Sequence, residues 1–408
     1  MSKKKRLFIA IQYLEIGGAE RSLIGLLNAL DYSKFDVDLF VYRHTGEFMK
    51  LVPPQVRLLP ESKRYAALSK PISQIVRQGY VDLAIARLLA RIPARRFQRR
   101  TGVREPIAIY QYVANYTTPL LPSLHKYGEY DLAISFLIPH NIVRDKVRAK
   151  RKCAWIHTDY SFVDPDTENE LPVWAAYDHV VSISPDVTKG FLSKFPSLEG
   201  KIIQIENILS ESFVRQQAQV GLDDVEKEIS ALCEQAGGLD VVRLCSVGRF
   251  SYPKAFDRAA HICKGLVDRG CQVLWYVVGY GGDEYLIQRA INETGMQHHF
   301  VLVGKKENPY PYIQSCHLYV QPSRYEGNAV TVREAQILCK PCAITAYATA
   351  HSQLRDRVDG VIVENEVDGA AEGLAALIAD KKLQASIQEY LAAHHYGNES
   401  EAQKIEAL

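Results

Sequence analysis

Short apolar runs alternate with longer segments of helical periodicity along this chain, and the alternation occurs in two separate series. In the first series, residues 7–11, 35–42, 56–59, 131–136, 154–157 and 179–183 read as strands. Between the first two, Leu23, Leu26, Leu27 and Leu30 recur at helical spacing. The second series starts near residue 240, with strand-like runs at 241–247, 272–278, 300–303, 317–320 and 342–345 and helical stretches at 255–269 and 284–294. Apolar strands separated by helices imply a parallel sheet covered on both faces. The expected fold class is therefore α/β, with two Rossmann-like domains. A length of 408 residues also favours two cores over one. The expected boundaries are a first domain over 1–208, a polar linker over 209–238, a second domain over 239–385 and a helical tail over 386–408 that returns to the first domain. In open α/β sheets, ligands bind beyond the carboxyl ends of the strands, so a cleft between two such domains suits a two-substrate reaction.

Composition narrows the partners. The formal net charge is only +2, so no nucleic-acid partner is expected. Cysteines such as Cys245 fall inside apolar runs, as buried thiols do in a reducing compartment. Cys339 and Cys342 form a lone CxxC without the second pair or histidines of a zinc site. The apolar run at 7–11 is too short for a signal peptide, and no run approaches a membrane span. The expected location is cytoplasmic. Residues 63–104 depart from this even balance, with eleven Lys and Arg against the single acid Asp82. Ile72, Ile75, Val76, Tyr80, Leu83 and Leu88 are interleaved among the bases. A basic amphipathic segment of this kind can lie on an anionic membrane, bind another polyanion, or be a solvated face. A second basic run follows at 144–152.

Three groups of residues carry the candidate chemistry. Glu326-Gly327-Asn328-Ala329-Val330 leads from a strand into a helix, with Glu334 about two turns on. Amides that open a helix are ready phosphate donors, and the two carboxylates can accept hydrogen bonds from sugar and ribose hydroxyls. A capping acid followed by a surface glutamate would look the same. Gly248-Arg249, with Lys254 five residues on, closes an earlier strand and places two cations suited to a diphosphate. Solvated loop bases are the alternative. Asp36/Asp38 and Asp164/Asp166 are Asp-x-Asp pairs, but two Rossmann-like halves do not need such a pair to hold a metal.

Taken together, these residues resemble glycosyltransferase family 4, retaining enzymes of GT-B fold that use nucleotide sugars. The resemblance rests on Glu326 and Glu334 as its Glu-x7-Glu signature and on Gly248, Arg249 and Lys254 ahead of it. It extends to Gly17-Gly18-Ala19-Glu20 near the start and to Trp155-Ile156-His157-Thr158-Asp159 in the middle. It departs at Gly327-Asn328-Ala329, where many members carry Gly-Phe-Gly. The resemblance implies two domains facing each other across a cleft, with the donor on the second. Arg249 and Lys254 would stabilise the departing diphosphate, Glu334 would hold the ribose, and Glu326 the transferred sugar. Gly248, Gly327 and the backbone at Asn328, Ala329 and Val330 would complete the donor site. His157 and Asp159 would lie on the acceptor side, with Gly17 and Gly18 in the facing loop. For His157, a hydrogen-bonded histidine at a strand end is the alternative. No metal or other cofactor is implied. The implied partners are a nucleotide sugar, with UDP the commonest carrier, and a glycan or polyprenyl-linked acceptor of surface polysaccharide or glycoconjugate synthesis. The basic face at 63–104 would then dock on an anionic membrane, peripherally on the inner face of the plasma membrane. Other classes remain: a GT-B-like phosphorylase, a nucleotide-sugar epimerase, or a non-catalytic scaffold. A nicotinamide dehydrogenase is disfavoured, because no strand leads into a clean Gly-x-Gly-x-x-Gly.

Overall fold

The computed structural model describes residues 4–15, 17–103, 108–158, 160–326 and 329–408. It divides into two units, one of residues 1–208 and 398–408 and the other of residues 209–397. In the first unit, the described strands are β1 (Lys5–Ile11), β2 (Phe35–Val41), β3 (Arg57–Leu58), β4 (Glu129–Ser135), β5 (Arg148–Ile156), β6 (His179–Ser182) and β7 (Ile202–Gln204). They form one parallel sheet in the order β3-β2-β1-β4-β5-β6-β7. The second unit holds β8 (Val242–Val247), β9 (Val273–Val278), β10 (Phe300–Gly304), β11 (Leu318–Gln321), β12 (Cys342–Thr345) and β13 (Val361–Val363). These form a second parallel sheet, β10-β9-β8-β11-β12-β13.

Both sheets therefore reverse their winding direction beside their first strand, between β1 and β4 and between β8 and β11. The connections leaving the two strands at such a point go to opposite faces of the sheet, and the carboxyl edge between them is where ligands bind in open α/β sheets. The central strands are apolar on both faces because helices cover both. Every residue of β9 is buried, including Trp275 and Tyr276. The helix Phe256–Asp268 buries Phe256, Ala259, Ala260, Cys263 and Leu266 against that core. A separate core under the first sheet contains Phe8, Phe40, Tyr65, Tyr130 and Phe191.

Two boundaries differ from expectation. Residues 209–238 are not a linker: helices Glu211–Gln219 and Leu222–Gln235 belong to the second unit. Their charges dominate the composition, but Phe213, Val214 and Ala218, then Val225, Ile229 and Cys233, form a buried stripe at helical spacing. Both helices lie against the helix Tyr310–Ser315. Lys306 pairs with Glu228 at 3.0 Å and Arg243 with Glu226 at 2.8 Å. The tail also divides. Helix Lys381–Ala393 stays with the second unit, whereas residues 398–408 lie with the first. There Lys34 meets Glu406 at 2.7 Å, and Ile405 and Leu408 are buried.

The loops after β8 and β9 touch closely. Gly248 N–H donates to Val278 O at 3.0 Å and Phe250 N–H to Tyr280 O at 2.9 Å. A Cβ on Gly279 would lie 1.9 Å from the Gly248 carbonyl oxygen. Gly279→Ala therefore forces the two loops apart and should cost about 1–3 kcal/mol. A thermal melt followed by circular dichroism should show the loss, and an unchanged melting temperature would contradict this close approach.

Candidate active site

The loops after β8 and β11 meet at the winding reversal of the second unit. After β8 the chain makes a short turn, Tyr252–Lys254, and Ala255 takes a left-handed φ of 56° before the helix Phe256–Asp268 begins. The turn presents Lys254, whose Nζ donates to Glu326 Oε1 at 2.6 Å. Both side chains are largely withdrawn from solvent. The same oxygen accepts from Ser323 Oγ at 2.6 Å and from Gln321 Nε2 at 3.2 Å. Thr349 Oγ1 donates to the Glu326 carbonyl at 2.7 Å. The carboxylate is thus fixed from several sides.

A second clamp joins the same two loops. Arg324 forms a two-pronged pair with Asp257, at 3.0 and 2.7 Å, and lies over the Tyr252 ring. Arg324 N–H also donates to the Pro253 carbonyl at 2.8 Å. Proximity to Arg324 holds the Asp257 carboxyl below its ordinary range, despite the opposing effect of burial. Arg258 completes the clamp, donating to Pro322 O at 3.0 Å and to Asn365 Oδ1 at 2.6 Å. Gln321, Ser323, Arg324 and Arg258 were not among the residues singled out from the sequence. As single polar residues paired with distant partners, they leave no local pattern.

Arg249 is exposed, and no ion pair for it is found among the described residues. Gly248 lies behind it, where a Cβ would sit 3.3 Å from the Phe256 ring. Gly327 and Asn328, expected to contact the donor, lie outside the described residues, as does Asp159. The backbone at Ala329 departs from expectation, because its N–H already donates to Gln353 Oε1 at 2.8 Å. The following helix, Val330–Ile337, is short, and Val330 at its start is exposed. Glu334 is not a surface residue. It is completely buried, with Tyr310 OH donating to its Oε1 at 3.0 Å. Ribose contact there would require the side chains that cover it to move.

In the first unit, Gly17 precedes the helix Gly18–Ala29. A Cβ on Gly17 would lie 2.1 Å from Glu20 Oε2, while one on Gly18 would meet nothing within 4 Å. The Glu20 carboxylate thus occupies the space over this helix start, and its own burial raises its pKa. An anion at Gly17 would have to displace it. The Asp-x-Asp residues are engaged elsewhere. Asp38 pairs with Arg57 and accepts from Tyr130 OH at 2.6 Å, and Asp164 reaches Lys194 at 3.4 Å. Asp166 caps the helix Thr167–Ala175 and accepts from Tyr112.

His157 follows β5, with its ring centroid 4.7 Å from that of Phe136. Its Nε2 is buried without a hydrogen-bond partner among the described residues, so this nitrogen is not engaged as a structural strand-end histidine would be. His140, nearby after β4, shares a 2.9 Å contact between Nδ1 and Ser135 Oγ. Burial pushes both imidazoles down to about 3. Unfolded, they would protonate near the ordinary value of about 6.5. Their contribution to stability is therefore complete above that value and is lost as pH falls towards about 3. His140→Asn should flatten the fall in melting temperature between pH 7 and 4.5. An unaltered slope would mean that burial does not hold this ring neutral.

Residues 239–394 match the family model for glycosyl transferases group 1. That match covers most of the second unit. No curated protein sequence matches the chain. Among solved structures, it is similar to Anabaena Alr3699/HepE in complex with UDP-glucose, with 14% identity over 99% of this chain and 100% of that one and a TM-score of 0.62. It is also similar to a glycosyltransferase from Rickettsia africae, with 13% identity, coverage of 99% and 94%, and a TM-score of 0.61. A third is a mutant of S. aureus TarM in complex with Fondaparinux, alpha-GlcNAc-glycerol and UDP, with 12% identity, coverage of 99% for both chains and a TM-score of 0.60. Both units have the Rossmann-like parallel order, and the fold is GT-B.

Proposed function

We propose that the chain is a retaining glycosyltransferase of family 4 type that moves a sugar from a nucleotide diphosphate, UDP on this reading, to an acceptor hydroxyl. The observation that carries this is the Lys254–Glu326 pair, with exposed Arg249 on the same loop after β8, in a unit whose residues 239–394 match the model for glycosyl transferases group 1. The similar structures solved with UDP or UDP-glucose support the donor class. In the reaction, the bond between the anomeric carbon and the β-phosphate oxygen breaks. A bond to the acceptor oxygen forms on the same face, and the hydroxyl proton is released. The leaving diphosphate gains negative charge, which Arg249 and Lys254 meet without a metal ion. Lys254 has three donors, so a phosphate can share it with Glu326. Glu326 then accepts from hydroxyls of the transferred sugar, and Glu334 takes the ribose once uncovered. His157, neutral near pH 7, lies on the acceptor side.

Arg249→Ala is the cleanest test, since this exposed side chain holds no described ion pair. Turnover should fall about 10²–10³-fold. Lys254→Ala should lose at least as much. A UDP-sugar should raise the melting temperature by binding the native state, also in EDTA. Wild-type turnover in both variants, or a requirement for inorganic phosphate, would overturn the reading, the latter in favour of a phosphorylase.

The acceptor side carries the membrane proposal. In the helix Val81–Thr101, Leu83, Ala86, Ala90, Ala94 and Phe97 face the core. On the opposite side Val81, Ile85, Leu88, Leu89 and Ile92 form a half-exposed apolar stripe. Arg95, Arg96, Arg99 and Arg100 extend it with positive charge. This stripe would enter the interface of an anionic bilayer, peripherally and on the cytoplasmic side, and bring the enzyme to a glycan or polyprenyl-linked acceptor. No described helix is long and apolar enough to cross a membrane. Ile85→Glu with Leu89→Glu should abolish recovery on vesicles containing anionic lipid. Undiminished recovery would return the stripe to a solvated face.

A further inference from the structure

A cavity of about 450 Å³ opens in the first unit. Gln12 and Tyr13 after β1, Tyr42 after β2, and Ile138 and Pro139 after β4 contribute to its wall. The cavity thus lies at the winding reversal of this sheet, the place that corresponds to Lys254 and Glu326 in the other. Arg87 and Arg91 line it from the basic helix, one turn apart.

Two observations give this cavity a charge preference. First, no carboxylate lines it among the described residues. The one acid of the basic segment, Asp82, is already paired with Arg64. Second, Arg87 is half-buried and spends one N–H on the Lys70 carbonyl at 2.5 Å. Burial and the neighbouring Arg91 both disfavour its charge. Two adjacent guanidinium groups without an acid are stabilised by an anion, and arginine forks match phosphate oxygens.

We propose that this cavity binds the phosphate end of the acceptor, with Arg87 and Arg91 on the phosphate and the organic part of the ligand against the tyrosine rings. The acceptor is then a phosphate or diphosphate ester rather than a neutral glycan. This rests on the glycosyltransferase reading for the word acceptor, but the cavity and its charge do not. Two sources share the chemistry: a polyprenyl phosphate and a soluble sugar phosphate.

The experiment is a binding titration of the full chain by calorimetry, using farnesyl diphosphate and glucose 1-phosphate as probes. Binding of farnesyl diphosphate alone supports a lipid-borne phosphate, and binding of glucose 1-phosphate alone supports a soluble one. Arg91→Ala should weaken the bound probe at least 10-fold, with partial rescue by Arg91→Lys. Melting temperatures show whether each variant is folded. Binding of neither probe, or binding unaltered in Arg91→Ala, overturns the proposal. A parallel titration with a UDP-sugar reports on the second unit, so failure of the donor reading is seen separately from failure at this cavity.

Discussion

Lys254 and Glu326 lie 72 residues apart and meet because β8 and β11 are neighbours with nothing between their departing loops. Partly buried charges are costly when either stands alone, so each makes the other tolerable. Ser323 and Gln321 hold the carboxylate from its own loop, and the Arg324–Asp257 pair locks the loops a few residues further out. The local geometry of the candidate donor site depends on this pairing. It also shapes what a ligand must do. A phosphate arriving at Lys254 draws on a cation already spent on Glu326, and the freed capacity of Glu326 is available to a hydroxyl. On the proposed reading, the ammonium is then shared between the phosphate and the Glu326 carboxylate.

The fold was legible wherever burial made a continuous apolar run. The strand at 272–278 and the helix at 284–294 appear where the pattern placed them, because both faces of one and one face of the other are apolar. The three-residue edge strands β7 and β13 were missed, being too short to establish a period. Within 209–238 an acidic helix-like stretch at 223–235 is legible and the helix Glu211–Gln219 is not, and charge on both outer faces hides the narrow apolar stripe that ties them to the second unit. In the site, Lys254 and Glu326 were legible from their places after strands. Their geometry was not, since Gln321, Ser323 and Arg324 act through partners far along the chain. Glu334 shows the converse. Its spacing from Glu326 was plain, but its complete burial beside Tyr310 depends on how a short helix sits on its sheet.

The two units use the same winding reversal differently. In the second, the loops after its two strands supply a cation and a carboxylate that satisfy each other. In the first, the glycine loop is closed by the Glu20 carboxylate, which repels an anion at the place where a helix start would otherwise attract one. Positive charge is supplied instead from outside the sheet, by Arg87 and Arg91 on the helix Val81–Thr101.

That helix is required to present three kinds of surface. Its alanines and Phe97 face the core, where small side chains permit close approach to the helix Ala108–Thr117. Arg87 and Arg91, four residues apart, share the flank that lines the cavity. Ile85, Leu88, Leu89 and Ile92 occupy the outer side, where no described core residue covers them. At 3.6 residues per turn these sets cannot overlap, so a change on one flank leaves the others in register. An outer stripe meant only for water would have no reason to be aliphatic over three turns. An arginine flank meant only for solubility would have no reason to line a cavity whose described wall holds no carboxylate. The separation of the two flanks is what makes the membrane and phosphate proposals independent, since each rests on side chains that the other does not use.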